Sequence, residues 1–520
     1  MSLKLTFFDG VSCIGGNKIL LEEDESALIL DFGINFNDEN KYFDEFLRPR
    51  SYLGIYDLFH LNLIPPLKGV YREDLIIPEI WENFKNHPWY REINPIAILV
   101  SHAHLDHVGY LSYLHEDIPI ITSLISSLII KSLEDTSRII SDLCLIRRKT
   151  QENGVLKTER NKFIKRPYIT FGNGSISKIE EFWNKLERKD KRNIDIENKP
   201  INIIDYETYK IGSFEITYFP VDHSIPGAVS FAINTKIGWV VYTGDLRLHG
   251  RNKDHSEKFI EKLKEIPIKV LICEGTHPKV DRLYTEEDVK ENIYHIVKNS
   301  KGYIIADFGA RNIDRLMSFL EIAKEVGKRL VLTLKDIYLL EALSLVGYPD
   351  PKEDEYITFY KKPKGSYETW EENLLDRYDI QGKGISAKEI RNNPDDFILC
   401  MSYYDFHILL DILPHGGTYI FSSSEAFNEE MKIDQKKIEN WLNYFHIEIR
   451  GNLVEKREES PFHASGHIHG DGIIKLVDYA KPEYLIPIHT ERDKNIDFFD
   501  QFKDFCKVIY PKKGETITII

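Results

Sequence analysis

Six short, apolar, β-rich runs in this chain each end on a residue able to bind a proton or a cation. Residues 26–30 lead to Asp31, and residues 96–100 lead into the segment Ser101-His102-Ala103-His104-Leu105-Asp106-His107. Residues 215–221 lead to Asp222 and His223, and residues 239–243 to Gly244 and Asp245. Residues 270–273 lead to Glu274, and residues 484–488 to His489. Near-continuous apolar runs of this length read as strands buried on both faces. If their ends share one edge, all of these polar residues meet in one cleft. Helix-like stretches lie between the runs, as at 312–326 and 429–445, so the fold class expected is α/β with layered sheets.

The chain has 520 residues, enough for two or three domains, and its 42% apolar and 29% charged residues are a globular balance. Its net charge of −15 argues against blanket electrostatic attraction to nucleic acid or an anionic membrane. The five cysteines are scattered without a CxxC pair, so a reducing, cytoplasmic setting is expected. The longest apolar stretch, 118–130, contains Pro119 and stops at Lys131; it reads as a buried helix capped by Thr122 or Ser123. The N-terminus meets Asp9 before a signal-peptide core can form, which points to a soluble intracellular protein.

The cluster at 101–107 carries the strongest chemical signal. In an extended segment, alternation puts His102 and His104 on one side, within reach of one metal ion. The turn that follows brings Asp106 and His107 toward a second. Imidazole and carboxylate together suit a borderline divalent ion such as zinc.

With His223 in PVDHSIPGA, Asp245 in YTGDLRLHG and Asp31 in LILDFG, this cluster resembles the motif series of the metallo-β-lactamase superfamily. Glu274 in ICEGTH, His467 in HASGHIHG and His489 in PIHTE resemble motifs A, B and C of the β-CASP nucleases, most closely those of ribonuclease J. The resemblance runs from Phe8 to the C-terminus. It implies an αββα metallo-β-lactamase sandwich with an inserted α/β β-CASP domain. The boundaries expected are 1–284 and 461–520 for the sandwich and 285–460 for the insert. It also implies two zinc ions, one held by His102, His104 and His223 and the other by Asp106, His107 and His489. Asp245 would bridge them and Asp31 would orient the loop from behind. The catalytic residues implied are Asp106, Glu274 and His467, with His467 as general acid and Glu274 bonded to its ring. His463, Ser465, Ser423 and Ser424 resemble groups that hold a nucleotide phosphate.

The activity implied is hydrolysis of single-stranded RNA, from the 5′ end or internally, in RNA processing or decay. Histidine at motif C favours RNA over DNA by the same resemblance. The alternatives are a DNA nuclease of the same fold and a non-catalytic scaffold in an RNA-processing complex. Partnership with another copy or with other RNA-processing proteins stays open.

Three features depart from the pattern. Where ribonuclease J has the phosphate-binding segment FASNIHR, this chain reads Ala310-Arg311-Asn312-Ile313-Asp314-Arg315, and Arg311 offers a bidentate phosphate grip instead. The chain stops soon after His489, so the C-terminal domain of many ribonuclease J proteins is expected to be absent. A charged stretch at 138–202 reads as a further insertion. Within it, 147–166 holds eight basic residues against Glu152 and Glu159, with Phe163 and Tyr168 beside them. Two readings remain for this run: a solvated surface loop, or an RNA contact with stacking rings.

Overall fold

The computed structural model describes residues 2–520 apart from 45, 188–193, 280–283, 380–381, 424–428 and 454–459. Strand alternation explains the double-faced burial. In Lys18–Glu23, Ile19 and Leu21 face one core while Leu20 faces another. The first sheet has eight strands, in the order Ile201–Ile204, Tyr168–Phe171, Ile120–Ser123, Ala97–Leu99, Ser26–Phe32, Lys18–Glu23, Leu3–Asp9 and Glu515–Ile519. The second has seven, in the order Thr208–Ile211, Phe214–Pro220, Val229–Thr235, Gly238–Tyr242, Ile268–Glu274, Tyr484–Ile488 and Lys507–Val508. Leu5, Phe7, Ile19 and Leu30 of the first sheet pack against Phe231, Ile233, Val240 and Ile272 of the second. Outside the first sheet lies helix Leu124–Thr136, and outside the second lie Lys253–Leu263 and Gly470–Ala480. The layering is αββα.

Ile268–Glu274 and Tyr484–Ile488 are parallel neighbours in the second sheet. Between them in sequence the chain builds a third sheet of seven parallel strands. Their order is Gly384–Ile385, Ile357–Tyr360, Arg329–Leu332, Phe397–Cys400, Ile304–Asp307, Gly417–Phe421 and Ile447–Arg450. The helix expected at 312–326 forms as Ile313–Val326, with the Asn312 side chain capping Arg315 N. That expected at 429–445 forms as Glu429–Tyr444.

One expectation is borne out in its capped helix but gains a strand before it, and another is corrected. The stretch 118–130 splits into strand Ile120–Ser123 and helix Leu124–Thr136, with Ser123 as the cap. The stretch 138–202 is not one insertion. Tyr168–Phe171 pairs with Ile120–Ser123, and Ile201–Ile204 pairs with it in turn, so both complete the first sheet. Only Leu145–Glu152, Val155–Lys165 and Asp195–Glu197 form a separate three-stranded sheet. Short β-branched runs inside a charged average masked the two core strands.

Part of the basic run is taken up by local partners. Arg166 is fully buried and donates to the carbonyls of His115, Leu111 and Leu114. Arg148 pairs with Glu116, Lys157 with Glu152 and Lys162 with Glu159. Phe163 and Tyr168 are buried and present no ring for a base. The run is not a solvated loop: it forms the paired strands Leu145–Glu152 and Val155–Lys165 and ends in the buried Arg166.

A buried ionic network joins the third sheet to the sandwich. Arg247, which follows Asp245, donates to Asp222 (3.2 Å), Glu286 (2.9 Å) and Asp314 (2.8 Å). Arg315, from the helix after Ile304–Asp307, donates to the other Glu286 oxygen (2.9 Å) and to the carbonyls of Ser422 and Phe462. Burial raises the Glu286 carboxyl, but Arg315 and Arg247 outweigh it and hold it down to about 2. Removing this carboxylate strands two buried guanidinium groups. Glu286→Ala should therefore cost about 3–5 kcal/mol in urea unfolding. Because the Glu286 carboxyl is depressed, its contribution is present near neutral pH and fades as pH falls toward 2.

Candidate metal centre

The carboxyl ends of strands from both layers deliver the site. Asp31 closes Ser26–Phe32, and the 101–107 loop follows Ala97–Leu99. His223 follows Phe214–Pro220, Asp245 follows Gly238–Tyr242, Glu274 ends Ile268–Glu274 and His489 follows Tyr484–Ile488. Asp31 and His489 adopt left-handed backbone (φ 53° and 49°), uncommon outside glycine and frequent where a site dictates the conformation.

The side chains converge in two groups. His102 Nε2 and His223 Nε2 lie 3.0 and 3.1 Å from His104 Nδ1. Asp106, His107, Asp245 and His489 form the second group. In it His107 Nε2 is 3.2 Å and His489 Nε2 3.6 Å from Asp245 Oδ2, and His489 Nε2 is 3.3 Å from Asp106 Oδ2. The same Asp245 Oδ2 is 3.7 Å from His102 Nε2 and 3.8 Å from His223 Nε2. One oxygen therefore faces both groups.

The second ring nitrogens are held from behind. His107 Nδ1 donates to Asp31 Oδ2 (2.7 Å), and His102 Nδ1 to Ser101 Oγ (3.0 Å). His223 Nδ1 donates to the Gly466 carbonyl and His489 Nδ1 to Thr276 Oγ1. In His102 and His223 these bonds fix the tautomer and leave a bare Nε2 lone pair pointing inward. Burial, then neighbouring imidazoles, keep His102 and His223 far below the ordinary histidine value, and burial and Arg311 bring His104 down to about 3. Neutral, facing lone pairs at 3 Å repel unless a cation lies between them. His107 Nε2 and Asp245 Oδ1 are also buried without a hydrogen-bond partner. The donor set therefore fits divalent metal.

His467 Nδ1 donates to Glu274 Oε2 (3.0 Å), which also accepts from Thr276 Oγ1 (3.0 Å), while Glu274 Oε1 accepts from Leu246 N (2.6 Å). Asp245, Glu274, His467 and His489 form a third convergent group that overlaps the second. Arg311 crosses from the third sheet and donates to the Ala103 carbonyl (3.3 Å) within the metal loop. His463 and Ser465 are buried at the seam, where the Ser465 carbonyl accepts from Arg247 and His249. Ser423 follows strand Gly417–Phe421, and Ser424 lies outside the described residues. Asp314 is bound to Arg247, so it does not stand in for a phosphate-binding histidine. Sequence reasoning missed Ser101, Tyr242 and Thr276, common strand-end residues whose role shows only in what they touch.

Residues 460–511 match the family model of the Zn-dependent metallo-hydrolase RNA specificity domain. Ribonuclease J of Mycoplasma pneumoniae (strain ATCC 29342 / M129 / Subtype 1) is 23% identical over 514 residues, covering 94% of this chain and 68% of the relative. Ribonuclease J of Mycolicibacterium smegmatis (strain ATCC 700084 / mc(2)155) is 24% identical over 503 residues with the same coverage. A crystal structure of a protein of unknown function from Enterococcus faecalis V583 superposes over 100% of both chains, with a TM-score of 0.67 and 20% identity. The αββα sandwich with its inserted parallel sheet is the fold the resemblance implied, and it is shared with that crystal structure. Over 94% of its length the chain is similar to ribonuclease J.

Burial alone would lower His107, but the carboxylates of Asp245, Asp106 and Asp31 hold it well above the ordinary histidine value in the metal-free protein. Metal must displace that proton, so affinity should rise with pH and binding should release acid into weakly buffered solution. Asp31→Asn, which takes a charge from behind His107, should weaken metal retention by about 10–100-fold in chelator competition. Unchanged retention would show that Asp31 serves the fold alone.

Proposed function

We propose that the protein is a two-zinc ribonuclease that hydrolyses phosphodiester bonds of single-stranded RNA, acting in the cytoplasm. One observation carries the reading: Asp245 Oδ2 faces both ligand groups, with the His467–Glu274 pair directly beside them. His102, His104 and His223 would hold one zinc, Asp106, His107 and His489 the other, and Asp245 would touch each. Bound there, a metal pair supplies Lewis-acid stabilisation of charge on the phosphate and lowers the pKa of the attacking water.

The chain's own residues do the rest. Glu274 is fixed by Leu246 N and Thr276, so it sets the plane of the His467 ring and directs Nε2 away from itself. In the metal-free protein, burial opposes the charged ring, but Glu274 and then Asp245 overcome it and raise His467 to about 9; the Glu274 bond is the part that does not depend on the metal ligands. It therefore carries a proton at neutral pH and can pass it from Nε2 to the leaving oxygen. Arg311, His463, Ser465 and Ser423 border the cleft between sandwich and insert, and their donors suit a phosphate. In this reading 1–284 and 461–520 form the catalytic domain and 285–460 the insert. The matched RNA specificity domain and the ribonuclease J relatives support RNA as substrate. Five unpaired thiols fit a reducing compartment, and no helix among the described residues is long and apolar enough to cross a membrane.

The test measures bound metal and single-turnover RNA cleavage together. His467→Ala should slow cleavage by about 10²–10⁴ and keep its metal. His489→Ala should lose both activity and metal. Glu274→Gln should keep its metal and move the alkaline limb of the rate profile to lower pH, because it removes the carboxylate that holds the His467 proton. Loss of metal from the His467 variant would instead assign His467 to the third convergent group as a ligand. Preferential cleavage of single-stranded DNA would overturn the substrate.

A further inference from the structure

A cavity of about 550 Å³ opens at the carboxyl ends of four adjacent strands of the third sheet, Ile357–Tyr360, Arg329–Leu332, Phe397–Cys400 and Ile304–Asp307. The chain builds outward from Ile304–Asp307 to Gly384–Ile385, returns to insert Phe397–Cys400, then continues on the opposite side with Gly417–Phe421. That reversal is the switch point at which open parallel sheets leave a crevice for ligands. The residues expected to hold phosphate are elsewhere: neither Ser423, His463 nor Ser465 lines this cavity.

Its lining has three chemistries. Phe308, Val331, Leu399 and Met401 give apolar walls, and Trp370 and Tyr404 add rings. Tyr404 is 77% exposed and stands beside Tyr403, with ring centroids 5.5 Å apart, so its ring borders the mouth of the cavity. Lys335, Lys362 and Lys364 supply positive charge, with Lys364 shared by Glu371. Two carboxylates, Asp336 and Asp405, also line the space. Asp336 spends Oδ2 on the Thr333 backbone and hydroxyl at the start of the helix Leu334–Ser344. Asp405 accepts from Ser402 Oγ (3.3 Å). Apolar walls, the exposed Tyr404 ring, carboxylate acceptors and lysines together match a nucleotide: a stacking base, an exocyclic amino group and a phosphate. The volume is in the range of small-molecule sites.

The cavity also has a geometric link to the metal centre. Phe308 and Ala310 line it, while the next residue, Arg311, donates to the Ala103 carbonyl of the metal loop. Segment 308–311 is thus a partition with the cavity on one side and the metal ligands on the other.

We propose that this cavity is a nucleobase pocket, which takes one unstacked base of the same RNA strand whose scissile phosphate lies at the metal centre. The proposal rests on the RNA reading above. A base carrying an exocyclic amino group should be preferred to uracil, which has none to give the carboxylates.

The experiment scans a single abasic residue, and separately a single uridine, along a short single-stranded RNA, using the metal-replete full chain. One position is expected at which loss of the base raises KM about tenfold, the scale of one lost stacking contact. Uridine there should be intermediate. Tyr404→Ala and Lys362→Ala, both at accessible side chains, should flatten that positional dependence. Neither should change hydrolysis of bis(p-nitrophenyl) phosphate, which needs only the metal centre. A wild type with no sensitive position, or variants that keep the dependence, would overturn the pocket and leave the ribonuclease reading standing. Adenosine monophosphate that binds the cavity without competing with RNA would also overturn it. Hydrolysis of bis(p-nitrophenyl) phosphate without any RNA cleavage would overturn both.

Discussion

The Asp31 carboxylate has no exposed surface and accepts from four donors: Ser101 N, Ser101 Oγ, Tyr242 OH and His107 Nδ1. Those donors come from the metal loop and from the second sheet, so one side chain of the first sheet gathers both layers of the sandwich. An ionised carboxylate in such a place is tolerable only while those bonds persist. The metal loop is held more tightly still by backbone. Gly16 N donates to Asp106 O and Ile34 N to Leu105 O, and a Cβ at Gly33 would lie 1.6 Å from Asp106 O. The ligands are preorganised because the loop has no room to be elsewhere.

A second constraint acts across the seam. Glu286 bridges Arg247 and Arg315, and Arg247 stands two residues beyond Asp245. The same network touches the carbonyls of Ser422, Phe462 and Ser465, which border the proposed substrate path. The attitude of the inserted sheet is thereby coupled to the oxygen that faces both ligand groups. Buried ion pairs of this kind contribute less to net stability than to choosing one arrangement over its neighbours. Here that arrangement is the seating of the inserted sheet on the sandwich.

Much of the centre was legible in the sequence because its signals are local. Apolar runs ending in Asp31, His102, His223, Asp245, Glu274 and His489 declare both the strand and the end that matters. The pairing of His467 with Glu274 came through resemblance, and the structure brings them to 3.0 Å. What stayed hidden depends on partners far apart in sequence. Tyr242 looks like one more buried aromatic until its hydroxyl meets Asp31. The basic run at 147–166 reads as one charged stretch until Glu116, Glu152 and Glu159 take three of its cations and Arg166 is buried, because sequence counts cations without showing their partners. The strands Tyr168–Phe171 and Ile201–Ile204 were lost inside a charged neighbourhood for a similar reason: four residues cannot outweigh a composition.

The placement of the inserted sheet between two adjacent strands also sets a clock. His489 meets Asp106 across 383 positions of chain, and it does so only after the whole third sheet has been made. At synthesis rates of about 5–20 residues per second, roughly 20–75 seconds separate the emergence of those two ligands. During that interval the three-histidine group can assemble while its neighbour lacks a member. In the two-zinc reading, the nascent protein would pass through a stage able to take up one metal while lacking the full pair. Full competence arrives late in translation, as a single closing event at the last long strand of the second sheet.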